Sequence, residues 1–363
     1  MIKSLIINPG STSTKIGIFE DETQVFDKTL RHSSEEIGQF PTIFSQMDFR
    51  KNIILEALKE AGEDLKSFDV IVGRGGLVKP IEGGTYEVTD VLAKDLEIGV
   101  QGQHASNLGG LLAREVSSEV EAARADGVKV PAFIVDPVAV DEMQPLARYT
   151  GLPEIRRTAI SHPLNQKAIA RRYAKEHGTS YDQLNLIVVH LGGGVSVGAH
   201  EKGKIIDVFN ALDGDGTFSP ERTGRVPSGQ LIRMCFESGL TEKEVMKKFV
   251  GGGGFNAYLG TNDMREVDRL ADEEHNALAA EVRDAFIYCI CKDVGAQATV
   301  LKGKVDQILL TGGIAYDKYV TEHIKERVSF IAPVSVYPGE DELLALAQGA
   351  IRVMTGEEEA KVY

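Results

Sequence analysis

Residues 4–28, SLIINPGSTSTKIGIFEDETQVFDK, return half a chain later as NLIVVHLGGGVSVGAHEKGKIIDVF, beginning at Asn185. Gly10 corresponds to Gly192, an offset of 182, and Gly17 to Gly198, an offset of 181. Each copy reads as an apolar strand, a glycine or hydroxyl turn, a second strand, a polar turn and a third strand. One such echo is compatible with chance, because strand-turn-strand patterns are common. At this separation, the pair predicts two duplicated domains facing each other.

The 363 residues suit about two cores. Alternating strands and helices fill the remainder. FDVIVGRGG and PAFIVDPVAV read as strands ending near Arg74 and Asp136, and residues 50–61 and 106–123 as helices. VDQILLTGGIAYDKYVTEHIKERV reads as strand, Gly-Gly turn and helix, a layout that offers backbone N–H groups to an anion. The fold class expected is α/β, a mixed sheet flanked by helices and built twice. DEMQPLARYTGLPEI, rich in turn residues, marks the domain junction. The boundaries expected are 1–147 together with about 343–363 for the first domain, and 148–342 for the second.

Net charge is −14, which argues against a nucleic-acid surface. The three cysteines, Cys235, Cys289 and Cys291, are too few and too odd for a disulfide framework and fit a reducing cytoplasm. Cys289 and Cys291 follow a helical apolar pattern with Leu278, Val282 and Phe286, so packing is expected of them rather than metal binding. No apolar run reaches the length of a membrane span, and Pro9 interrupts the start before a secretory stretch could form.

Three glycine loops follow apolar strands: Pro9-Gly10-Ser11, Gly192-Gly193-Gly194 and Gly312-Gly313. Glycine permits close backbone approach, and exposed N–H groups cradle phosphate. Each loop alone is equally an ordinary tight turn. Together they point to a nucleotide held between two domains. Arg74, Asp136, His104, His162 and Arg222 are isolated polar residues near strand ends or in loops, where α/β folds place chemistry. Their bland readings are a solvent-reaching arginine, a turn-capping carboxylate and histidines without a role. The run Gly251–Gly254 is either a mobile segment or a permissive turn.

In order along nearly the whole chain, these segments resemble the acetate and butyrate kinase family, within the superfold of sugar kinases, actin and Hsp70. NPGSTSTKIGIFE looks like the family's first phosphate motif, HLGGGVSVGAH its second and LLTGGIAYD its adenosine motif. The resemblance implies two ribonuclease H-like domains of the actin-like ATPase fold with a cleft between them. It implies phosphate or nucleotide contacts at Asn8, Ser11, Ser13, Lys15, His190, Gly192, Gly193, Gly194, Gly312, Gly313 and Ile314. The stretch TNDMREVD adds Asp263, Met264 and Arg265. It implies catalytic roles for Arg74, Asp136, His162 and Arg222, and an acid-binding site of Arg74, Gly76, His104 and Ser161.

The cofactor implied is Mg²⁺ at Asn8, Asp136 and Asp341, with Glu340 and Glu342 beside the last. The chain departs from the family at Gly193, where an asparagine is usual, and at Asp341, where a glutamate is usual. Gly76 and Ser161 replace a valine and a phenylalanine that close a small pocket, so a wider pocket is expected. Each added buried CH₂ is worth roughly 0.8 kcal/mol, which favours a four-carbon acid. The reaction implied is butanoate plus ATP giving butanoyl phosphate plus ADP, in a homodimer or larger homo-oligomer. Acetate, propionate and isobutyrate kinases, a sugar kinase using Asp136 as base, and a non-catalytic ATP switch are the alternatives.

Overall fold

The computed structural model describes every residue from Met1 to Tyr363 and divides into two units. The first comprises Met1–Val140 with Asp341–Tyr363, the second Asp141–Glu340. Residues 141–147 pack in the second unit, where Met143 and Ala147 cluster with Ala159, Ile205 and Val208.

The first unit is built on a six-stranded sheet of β1 (Lys3–Pro9), β2 (Ser13–Glu20), β3 (Thr23–Arg31), β4 (Val70–Arg74), β5 (Thr85–Glu87) and β6 (Ala132–Val135). Its order is β3-β2-β1-β4-β6-β5. The first three strands form antiparallel hairpins, while β4 joins β1, and β6 joins β4, in parallel. The second unit repeats this with β7 (Asn185–Leu191), β8 (Val195–Glu201), β9 (Lys204–Val208), β10 (Gln307–Gly312) and β11 (Val334–Pro338). Its order is β11-β10-β7-β8-β9, with the same strand directions.

The duplication extends to register. Ile6 lies opposite Gly17 in one sheet and Val188 opposite Gly198 in the other. The pairing of the second and third strands shifts between Ile18 and Phe19, and again between Ala199 and His200. The matched glycines have a packing cause. A Cβ on Gly17 would meet Leu343 at 2.9 Å, and one on Gly198 would meet Gln166 Oε1 at 2.6 Å. Each glycine therefore admits a helix onto its sheet: Glu342–Met354 in the first unit, Pro163–Glu176 in the second.

Both faces of each sheet are covered, so the central strands read as continuous apolar runs rather than alternating ones. In the first unit Leu5, Ile7, Ile16 and Ile18 pack with Ile54 and Leu58 of helix Met47–Glu60, and with Leu112 and Val116 of helix Asn107–Arg124. In the second, Ile187, Val189 and Val197 pack with Phe286, Ile290 and Val294 of helix Ala277–Val300. The opposite face joins Leu186, Val188 and Leu309 to Ala170 and Ala174. The expected duplicated ribonuclease H-like architecture is thus observed over five strands of each sheet, with β5 an addition at the edge of the first. Cys289 and Cys291 are half-buried and Cys235 is exposed; all three are free thiols. No helix is long and apolar enough to cross a membrane.

Candidate active site

Chemistry-bearing residues of the first unit gather at the ends of β1, β4 and β6. Arg74 ends β4, and its place is set by backbone contact: a Cβ on Gly109 would lie 2.1 Å from the Arg74 carbonyl oxygen. Only glycine lets helix Asn107–Arg124 approach the strand so closely. The Arg74 guanidinium donates through Nη1 to the Glu342 carboxylate at 2.6 Å, and Asn8 Nδ2 donates to the same carboxylate at 2.7 Å. Glu342 therefore joins Asn8 to Arg74, across 268 residues of sequence in the second case. Its neighbour Asp341, the residue singled out by sequence, caps the helix by accepting from the Leu344 N–H at 3.1 Å.

Asp136 follows β6 and is 1 % exposed. Its φ is +37°, in the left-handed region that Asp and Asn tolerate better than most side chains. Oδ1 accepts from the Gly84 N–H at 2.7 Å, and the Asp136 N–H donates to the Gly84 carbonyl at 3.0 Å. His104 Nδ1 lies 2.8 Å from Ser106 Oγ. Partial desolvation of its ring, and after that the Arg74 charge, lower its pKa. Lys15 is exposed on β2, opposite Asn8. Ser11 is exposed at the tip of the first loop and Ser13 is partly buried.

Gly76 does not open a pocket. A Cβ there would lie 2.3 Å from Asn107 Oδ1 and 2.5 Å from Asn107 Cα. The space expected to widen the acid site is occupied by the start of helix Asn107–Arg124, whose Asn107 side chain accepts from the Leu77 N–H. Ser161, the other position expected to add width, lies in the second unit with its hydroxyl buried and unpartnered.

In the second unit, His162 precedes helix Pro163–Glu176 and stacks on His190 of β7, with ring centroids 3.8 Å apart and planes 11° from parallel. Ser196 Oγ lies 2.9 Å from His162 Nδ1 and accepts from Gln166 Nε2 at 2.7 Å. Asn165 Oδ1 lies 2.8 Å from His190 Nδ1, and Glu340 lies 3.2 Å from His190 Nε2. Glu340 also borders Gly192.

Arg222 lies against the second glycine loop, where a Cβ on Gly194 would meet its Nη1 at 2.1 Å. Nη1 donates to the Ala211 carbonyl at 2.7 Å, and burial lowers the pKa of the guanidinium. Ser219 Oγ donates to the Gly193 carbonyl at 2.7 Å, tying the same segment to the loop. The run Gly251–Gly254 grips that segment from behind. The N–H groups of Gly251 and Gly253 donate to the Glu221 carbonyl, and Gly253 and Gly254 lie too close to Thr223 and Ser219 for any side chain. It is a packed turn that seats Arg222.

Gly312, at φ +93°, abuts the Leu191 backbone and so places the end of β10 beside the second loop, while Gly313 faces open space. Asp263 caps helix Met264–Asp268 and binds the exposed Arg265 guanidinium at 2.6 Å. Met264 instead turns its side chain into the core, and only its backbone remains for a ligand. Asp268 faces Asp317, which follows the turn containing Ile314, so these two segments adjoin; burial, opposed by Arg283 and reinforced by Asp317, raises Asp268 to about 6.

Sequence reasoning missed Ser196, Gln166 and Asn165, and named Glu342 only as a neighbour of Asp341, without its contacts to Asn8 and Arg74. The signal for Asn165 and Gln166 was available: both fall on the buried face of their helix. A surface groove lined by Leu55, Glu60 and Leu65 includes none of the residues described above.

Residues 148–334 match the Acetokinase family. Butyrate kinase 1 of Clostridium acetobutylicum is 56% identical over 363 residues, covering 100% of both chains. Butyrate kinase 2 of the same organism is 55% identical over 361 residues, covering 99% of each. Among solved structures, Porphyromonas gingivalis acetate kinase superposes with a TM-score of 0.79 at 20% identity, over 98% of this chain and 100% of the other. Acetate kinase from Entamoeba histolytica superposes with a TM-score of 0.75 at 16% identity, over 96% and 98%. These likenesses show the two-domain actin-like ATPase fold.

Proposed function

The chain belongs to the acetokinase family, and from that premise we propose that it phosphorylates butanoate with ATP, reversibly, to give butanoyl phosphate and ADP. The observation that carries the reading is the Arg74 guanidinium, already engaged by a carboxylate at 2.6 Å. A planar fork of donors suits a carboxylate better than a sugar hydroxyl. The choice of four carbons rests on the relatives named butyrate kinase, since Gly76 supplies no extra room.

A short-chain carboxylate is ionised at neutral pH and needs no general base. One of its oxygens attacks the γ-phosphorus as the bond to the β,γ-bridging oxygen breaks, and ADP leaves with that electron pair. Repulsion between anions and misalignment oppose the step, so the site must supply positive charge and position. Arg74, with His104 beside it, would hold the acid. Arg222 and His162 would stabilise the equatorial oxygens of the group in transfer, with Ser196 and Gln166 fixing the His162 ring. Asn8, Ser11, Ser13, Lys15, His190 and Gly192–Gly194 would hold phosphates, and Asp263, Arg265 and Gly312–Ile314 the adenosine.

The residues fit Mg²⁺. Asn8, Asp136, Asp341 and Glu342 offer hard oxygen donors, the type Mg²⁺ takes alongside waters and a substrate's phosphates. Bound there, it would neutralise phosphate charge. Of the acidic run Glu340–Glu342, Glu342 is the residue that accepts from Asn8, which favours it as the metal ligand over Asp341.

We place the activity in the cytoplasm, on the free thiols and the need for ATP, and expect a homodimer or larger homo-oligomer, which sedimentation tests. The decisive assay traps acyl phosphate with hydroxylamine, using ATP, Mg²⁺ and C2 to C5 acids. Hydroxamate should form best with butanoate. None with any acid would end the carboxylate kinase reading, and a maximum at acetate or isobutyrate would move the substrate.

A further inference from the structure

Arg50 is 0 % exposed and has no acidic partner among its contacts. It rises from helix Met47–Glu60 beneath the loop that joins β1 to β2. Nη1 donates to the carbonyls of Gly10 and Ser13 and to Thr14 Oγ1, each at 2.9 Å. Nη2 reaches the Ser11 carbonyl at 3.2 Å, and Nε and Nη2 both donate to Gln46 Oε1. The Thr12 carbonyl is taken by the His32 N–H at 2.8 Å. Thr14 Oγ1, which accepts from Arg50, lies 2.9 Å from His32 Nε2.

All four carbonyls from Gly10 to Ser13 are therefore drawn inward, while Ser11 and Thr12 stay exposed at the tip. A loop arranged this way keeps its negative dipole ends away from its exposed tip, three of them on a buried cation, while the Gly10 N–H closes the turn on the Ser13 carbonyl at 2.8 Å. That is the polarity an anion requires. Closing the turn alone would not need a full charge, because a neutral amide could accept and donate without the desolvation that pulls Arg50 down to about 10. Even so lowered, it is cationic at neutral pH.

We propose that Arg50 is a positioning residue of the first phosphate loop, turning the carbonyls of residues 10, 11 and 13 inward and placing an uncompensated positive charge beneath the nucleotide's phosphates. The proposal rests on reading residues 10–14 as a phosphate loop. It assigns a role to a side chain that touches no substrate.

Two variants separate geometry from charge. Gln46→Glu keeps the contacts of the guanidinium but places a carboxylate on it. Calorimetric titration with ATP, ADP and adenosine should then show ATP weakened about tenfold, ADP less, and adenosine unchanged, with thermal stability retained. Arg50→Lys keeps the charge and loses the fork; it should raise KM for ATP about tenfold while KM for butanoate stays at the wild-type value. A folded Gln46→Glu protein that binds ATP as tightly as wild type overturns the charge, and wild-type KM for ATP in Arg50→Lys overturns the clamp. Loss of ATP affinity in Gln46→Glu, in a protein yielding no hydroxamate with any acid, would uphold Arg50 and refute the kinase reading. Hydroxamate formation with unchanged ATP affinity would do the reverse.

Discussion

Asp136 combines a structural and a chemical demand at one carboxylate, and substitution can part them. The structural demand is the +37° φ and the hydrogen bond from the buried Gly84 N–H at 2.7 Å. Alanine loses both supports. A left-handed conformation costs it about 1 kcal/mol, and leaving the Gly84 N–H without its charged acceptor costs about 2 kcal/mol. Asp136→Ala should therefore destabilise the first unit by about 3 kcal/mol, a fall of about 6–12 °C in Tm for a unit of this size. Asparagine keeps an oxygen for Gly84 and tolerates positive φ, so Asp136→Asn should lose less than about 1 kcal/mol. The chemical demand comes from the proposed role beside Mg²⁺, which would need the negative charge that asparagine lacks. Turnover by Asp136→Asn should fall by about a hundredfold or more. Thermal melts beside the hydroxamate assay separate the two effects. Equal destabilisation by both substitutions would refute the structural half of the reasoning, and full turnover by Asp136→Asn the chemical half.

Arg74→Lys should lower kcat/KM for butanoate by about a hundredfold, because a point charge cannot replace the fork, with ATP affinity unchanged by titration. Ser196→Ala removes the hydroxyl that fixes the His162 ring and should cut kcat about tenfold with little change in either KM. Asp293, 1 % exposed and paired with Arg225, is raised to about 6 by burial, with Arg225 opposing the rise. The folded form thus holds its proton more tightly than the unfolded chain. That contribution is complete below about pH 4 and is lost as pH rises through about 6. Asp293→Asn should remove roughly 2 kcal/mol of the stability difference between pH 4 and 7, read by urea denaturation at both values.

The architecture was legible because a duplicated strand-turn-strand pattern repeats with its register, down to glycines that admit a helix in both copies. Local pattern carries that kind of information. The site was less legible where contacts span the chain. Nothing near Glu342 in sequence announces that its carboxylate reaches Asn8 and Arg74, and Asp341 competes for attention until its capping bond is seen. Gly76 misled because a missing side chain was equated with open space, whereas Asn107 fills it. Arg50 was readable: it lies on the same buried stripe as Ile54, Ala57 and Leu58, where a cation needs a reason.

Helix Glu342–Met354 completes the first sheet, with Leu343 over Gly17, Gly349 against Val135 and the Thr85 hydroxyl on the Gly349 carbonyl. It is translated only after all of residues 141–340. At about 5–20 residues per second, the earlier strands wait tens of seconds on the ribosome with one apolar face uncovered, while the intervening unit has all of its own segments in hand. The second unit should therefore mature first. Nascent chains stalled after β6 and before residue 342 should present a bare sheet to chaperones, and supplying residues 341–363 as a separate peptide should release them.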